Sequence, residues 1–169
     1  MQAQTKEQER AADTARESLT SLQRAFVFPD GVDIIVIDSG GKTSMLFSAK
    51  WGNAGATPTR GMTTHGSYQW LPIKLPDNFP FPDLWAPGVP HVDRHALLGP
   101  KGTIRVDLNP PISLDTMKLV QKHQLSLYFW GWARYRDVFM GTPEHITMFC
   151  SEFIPIEKQI PLDEVKPGI

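Results

Sequence analysis

Two histidines and an aspartate fall within one short stretch, Val89-Pro90-His91-Val92-Asp93-Arg94-His95. On an extended chain His91, Asp93 and His95 share one face. Imidazole with carboxylate suits zinc or another first-row metal, and His65 would supply a further donor. A metal-dependent hydrolase is the chemistry this spacing would allow. The competing reading is a set of solvated side chains on a polar loop. It is favoured, because a metal site needs a rigid surrounding shell and this stretch is rich in proline. No metal ligand and no cofactor is assigned on this basis.

Asp137, His145 and Cys150 have the residue types of a nucleophilic triad. Alternation along a regular strand points His145 and Cys150 to opposite faces. Cys150 would instead share a face with Ile146 and Met148 and read as a small buried hydrophobe. No catalytic residue is assigned. The glycine clusters at Gly40-Gly41 and Gly99–Gly102 match neither a phosphate-binding loop nor a dinucleotide fingerprint. No Gly-x-Ser-x-Gly occurs in the chain, so a serine nucleophile elbow does not arise.

Tyr128, Trp130, Trp132 and Arg134 make an aromatic stripe ending in a guanidinium. The opposite face of the same segment carries Leu127, Phe129, Ala133 and Tyr135. A strand apolar on both faces is covered on both. The stripe reads first as half of a sandwich core; alternatively the core lies on one side and the N-terminal helix or the proline-rich loop covers the other, or one face is left open for a partner.

These residues need elements to hold them. The chain has 169 residues, enough for one domain with a self-sufficient core. Its net charge of -1 and pI near 6.5 argue against a nucleic-acid partner, which calls for a basic excess. A single cysteine rules out an internal disulfide and a multi-cysteine zinc site. No run reaches the roughly eighteen apolar residues of a membrane span, and residues 1–25 lack the apolar core of an export signal. The chain as written is expected to be soluble.

Residues 5–23 favour helix, with Ala11, Ala12, Ala15, Leu19 and Leu22 forming a narrow apolar stripe. Strands are expected over Ala25–Phe28 and Val32–Ile37, with Pro29-Asp30-Gly31 as a turn between them. Others follow over Thr43–Trp51, Thr59–Leu71 and Thr103–Leu108, the last closed by Pro110-Pro111. Between them, Pro72, Pro76, Pro80, Pro82, Pro87, Pro90 and Pro100 mark 72–100 as a long proline-stiffened loop. Ser113 reads as the N-cap of a short helix over Leu114–Lys122. Two strong strands, Leu125–Tyr135 and Glu144–Phe153, end the pattern. The expectation is a mostly β protein: an immunoglobulin-like antiparallel β-sandwich of roughly seven strands with an N-terminal helix and one short crossover helix. Residues 1–23 would be a helix or stalk and residues 24–169 the β-domain.

Four motifs recur in this order: Arg24-Ala25-Phe26-Val27; Trp51-x-Asn53-x-Gly55-x-Thr57-Pro58; Gly131-x-Ala133-x-Tyr135-x-Asp137-x-Phe139; and His145-x-Thr147-x-Phe149-Cys150. In this the chain resembles a group of uncharacterised proteobacterial proteins, many with a membrane helix ahead of a small β-domain. The resemblance implies membrane association in relatives and assigns no reaction. These 169 residues contain no such helix, and the expectation is that they either start inside a longer gene product or represent a soluble member. Tyr135, Asp137, His145 and Thr147 are expected to satisfy backbone groups around the final hairpin turn.

The functional expectation is a non-catalytic interaction module with a protein partner. Its contact surface would be the 72–100 loop with Trp85, His91 and His95, together with Trp70. The alternatives are the metal-dependent hydrolase and a structural component that self-associates through the N-terminal helix.

Overall fold

The computed structural model describes residues 2–84 and 94–155. In chain order the elements are α1 (Gln2–Gln23), β1 (Val27–Ser39), β2 (Lys42–Asn53), β3 (Arg60–Leu71), β4 (Arg94–Ala96), β5 (Thr103–Ser113), α2 (Leu114–Gln121), β6 (Ser126–Arg136) and β7 (His145–Phe153). The protein is mostly β, with two helices and antiparallel pairing throughout. Three strands form one sheet in the order β1-β2-β5 and four form another in the order β4-β3-β6-β7.

Several boundaries differ from the sequence reading. Pro29-Asp30-Gly31 does not separate two strands. It is a register shift inside the single strand β1, with Gly31 at φ +97° supplying the conformation the irregularity needs. Pro110 and Pro111 do not close β5, which runs on to Ser113. Proline is tolerated there because β5 lies at a sheet edge, where a missing N–H costs no ladder bond. The 72–100 segment is not loop throughout, since β4 pairs with β3. Ser113 caps α2 as expected, its hydroxyl accepting the Thr116 N–H at 3.2 Å.

Two apolar clusters draw on both sheets. The first joins Phe47 of β2 and Leu108 of β5 to Leu127 and Phe129 of β6, and Met117 and Val120 of α2 cap it. The Phe47 and Phe129 rings lie 4.8 Å apart, within the favourable range for tilted aromatic pairs. The second joins Val27, Trp51, Met62, Val106, Ala133 and Tyr135, with Phe149 edge-on to Trp51 at 5.4 Å. Gly66 and Gly131 are opposed on β3 and β6. A Cβ on Gly66 would come 2.3 Å from Leu108 Cδ2 and one on Gly131 would come 2.5 Å from the His65 carbonyl oxygen. The glycines therefore let the first sheet's leucine reach the backbone of the second.

Helix α1 stands apart from these clusters. Its side chains from Thr5 onward are exposed, apart from half-buried Thr20, and Leu19 and Leu22 contribute to neither core.

Candidate interaction face

Register fixes which side chains share the outer face of the four-stranded sheet. Directly opposed residues point the same way. One row is therefore His95, Thr63, Arg134 and Ile146, and the next is His65, Trp132 and Met148. Ser67, Trp130 and Cys150 follow, then Gln69, Tyr128 and Glu152. The aromatic stripe lies on this face, and Leu127, Phe129, Ala133 and Tyr135 lie in the cores behind it.

A strap formed by residues 72–84 covers half of the face. The Leu75 N–H donates to the Tyr128 hydroxyl at 3.2 Å. Phe79 and Phe81 pack edge-on against Trp130, at 5.3 and 6.3 Å. The Trp130 indole N–H donates to the Pro82 carbonyl and the Trp132 indole N–H to Asp83 Oδ1, both at 2.9 Å. The Leu84 N–H donates to Ser67 Oγ at 3.0 Å. The stripe is therefore not half of a core, as first expected: Trp130 and Trp132 belong to neither apolar cluster, and the proline-rich segment, one of the alternatives, lies over them. Prolines suit it because the strap bonds through side chains and a few carbonyls and builds no strand ladder.

Beyond the described strap, exposed side chains lie on the same face. Arg134 and His95 are exposed, and the Arg134 guanidinium sits 4.6 Å from the Trp132 ring centroid, a cation–π contact. Arg60 and Arg136 are exposed Cα partners at the same corner, with Glu144 3.9 Å from Arg136. Like charges directly opposed on a sheet are unfavourable, so this corner is not arranged for stability.

His65 lies beside a serine and a carboxylate, two of the neighbours of a catalytic triad. It is 4% exposed, and its Nε2 lies 2.8 Å from Ser67 Oγ and 3.8 Å from Asp83 Oδ1. In a relay the carboxylate holds the ring nitrogen away from the hydroxyl. Here both neighbours face the same nitrogen, and Ser67 Oγ also accepts a strap N–H. The cluster fastens the strap. The spacing His65-x-Ser67 on one strand face was visible in sequence, but Asp83 arrives from a loop and carried no such signal.

Of the expected contact residues, the two that are described, His95 and Trp70, lie toward opposite ends of β3. His95 pairs with Thr63 near the start of β3, whereas Trp70 lies near its far end, stacked on Tyr68 at 5.8 Å and 42% exposed. Trp85, His91 and Asp93 lie outside the described residues. Among the described residues no group of three or more His, Cys, Asp or Glu could hold a metal ion.

Cys150 is not a core residue. It is exposed, as are its face-mates Ile146 at 51% and Met148 at 70%. The reading failed because β7 turns its other set, including half-buried Phe149, toward the cores, while these residues face outward. Desolvation pushes the Cys150 thiol up from its ordinary value, away from the nucleophilic thiolate.

The four motifs meet at the neck between α1 and β1. Asp137, 1% exposed, accepts the Ala25 N–H at 2.9 Å on one oxygen and the His145 Nε2–H at 2.8 Å on the other. Asn53 Oδ1 accepts the N–H groups of Phe26 and Gly55. The Tyr135 hydroxyl accepts the Val27 N–H, and the Thr147 hydroxyl donates to the Val27 carbonyl. These side chains serve the incoming segment rather than the hairpin turn. At Gly55 a Cβ would stand 2.1 Å from the Arg24 carbonyl oxygen and 2.7 Å from Ala25 Cα, so only glycine lets the neck lie so close.

Comparison with family models and with curated proteins finds no match. Among solved structures, a protein from Archaeoglobus fulgidus aligns with 76% of this chain and 98% of its own, at 10% identity and a TM-score of 0.30. A likeness of that size carries nothing over to this chain.

Proposed function

We propose that this chain is an immunoglobulin-like sandwich acting as a non-catalytic interaction module, whose contact surface is the exposed corner of the four-stranded sheet. The strand orders β1-β2-β5 and β4-β3-β6-β7 support the fold reading, since they follow the A-B-E and C′-C-F-G arrangement. The corner carries the functional reading: exposed Arg60, Arg134, Arg136 and His95 beside the half-buried Trp132. Arginine and tryptophan together are the composition of interface hot spots. The strap reaches this corner at Asp83, which accepts the Trp132 indole N–H; Trp85 and His91, outside the described residues, are kept in the proposed surface on the sequence pattern alone.

The test is photo-crosslinking in the producing cell. A photoreactive residue at 134 or 95 is expected to yield one discrete protein adduct, and the same residue at 107, on β5 of the other sheet, none. Equal labelling at all three positions, or none at any, overturns the reading.

A second reading, assembly or tethering through α1, is favoured by one observation: the helix exposes Leu19 and Leu22 and adds no side chain to either core. No described helix is long and apolar enough to cross a membrane. The hydrolase alternative depends on His91 and Asp93 outside the described residues, and nothing within them favours it.

A further inference from the structure

The two sheets have four edges, and three carry devices that discourage pairing with another chain. β4 is three residues long. β5 contains Pro110 and Pro111. β1 is irregular between Pro29 and Val32 and carries Asp30, Asp33 and Asp38. Short length, proline, irregularity and charge are the standard protections of an open edge. β7 lacks the first three: HITMFCSEF is nine residues of regular pairing with neither proline nor lysine, and Glu152 is its single carboxylate. Its outward side chains are Ile146, Met148, Cys150 and Glu152, all exposed, and among the described residues no backbone–backbone hydrogen bond is made to its far edge, although the Thr147 hydroxyl bonds the Val27 carbonyl of β1.

We propose that β7 pairs antiparallel with β7 of a second copy of this chain, joining two four-stranded sheets into one. Charge selects the register. With Phe149 on the twofold axis, Met148 lies opposite Cys150 of the second copy, and Ile146 lies opposite its Glu152. Arg134 is the neighbour of Ile146 on β6, so each Glu152 reaches over Ile146 toward the other copy's Arg134. Moving the axis to Met148 would set Glu144 against Glu152, two like charges. Moving it to Cys150 would set Glu152 against Met148, whose β6 neighbour is Trp132. The occupant is a second copy because the strand is self-complementary: an apolar centre, with an acidic end that meets a basic end. The inference rests on β7 rather than on the partner proposed above, although both use Arg134.

The experiment is sedimentation velocity on the full chain with disulfide trapping. The wild type is expected to sediment as a dimer, and Met148→Lys to weaken association by at least about tenfold. Met148 is 70% exposed, so this change leaves the monomer folded, as circular dichroism would verify. Met148→Cys is expected to cross-link to Cys150 of the second copy far faster than Ile146→Cys, whose opposite residue is Glu152. Leu19→Glu with Leu22→Glu, on α1, is expected to leave the dimer intact. A wild type monomeric at all concentrations, a dimer that Met148→Lys leaves unchanged, or a dimer lost with the α1 changes would each overturn the proposal.

Discussion

Asn53 shows how one side chain can hold several loops. Its oxygen accepts two N–H groups, and its amide nitrogen donates to the carbonyls of Thr57, Leu98 and Gly99 at 2.8 to 3.2 Å. Asn53→Ala strands these groups in a site from which water is excluded, and each unmet buried group costs about 1–3 kcal/mol. A loss of at least about 3 kcal/mol is expected in urea unfolding. Tyr68 gives a prediction at alkaline pH. Burial pushes its phenol up to about 12 from 10.0, and its hydroxyl donates to the Pro110 carbonyl. The folded chain thus keeps a proton that the unfolded chain gives up near pH 10. Stability from this group is intact below pH 10 and falls as pH rises from 10 to 12. Tyr68→Phe should flatten that slope, which unfolding midpoints across the range would measure.

Among the elements, strands and helices were the most legible, because their periods are written in local sequence. The alternation in β6 and the cap at Ser113 correspond to elements within a residue or two of those expected. Failures came where tertiary context decides. Pro29 and Pro110 read as breaks, but each lies on an edge strand that accommodates it. Cys150 read as core because alternation says which residues share a face, not which face is inward. The strap was legible as a proline-rich segment, yet its anchor on Trp130 and Trp132 depends on contacts across nearly fifty positions. Those contacts lie outside the two cores, so the strap can loosen alone. Asp83→Ala removes its bond to Trp132 and its approach to His65. The expected result is faster proteolytic cleavage within 72–84, with global stability changed by less than about 1 kcal/mol. Limited proteolysis beside thermal unfolding would measure both.

At the scale of the whole molecule, a packed β-domain carries a helix that it does not support. An isolated helix of this length is marginal even when rich in alanine. Amides of α1 are therefore expected to exchange with deuterium far faster than those of β2 or β6 in a chain without a helix partner. Uniform protection along the chain in hydrogen-exchange mass spectrometry would contradict this. The neck gives that helix a mechanical meaning. A pull on α1 enters the domain at Ala25–Val27, where β1 pairs end-on with β2 and would otherwise peel open one bond at a time. The first three residues are instead gripped together by Asp137, Asn53, Tyr135 and Thr147, from β2, β7 and the end of β6. Tension is shared among bonds that must rupture at once, so the junction resists as a clamp rather than a zipper. Force arriving along the helix would reach both sheets before the first strand is lost.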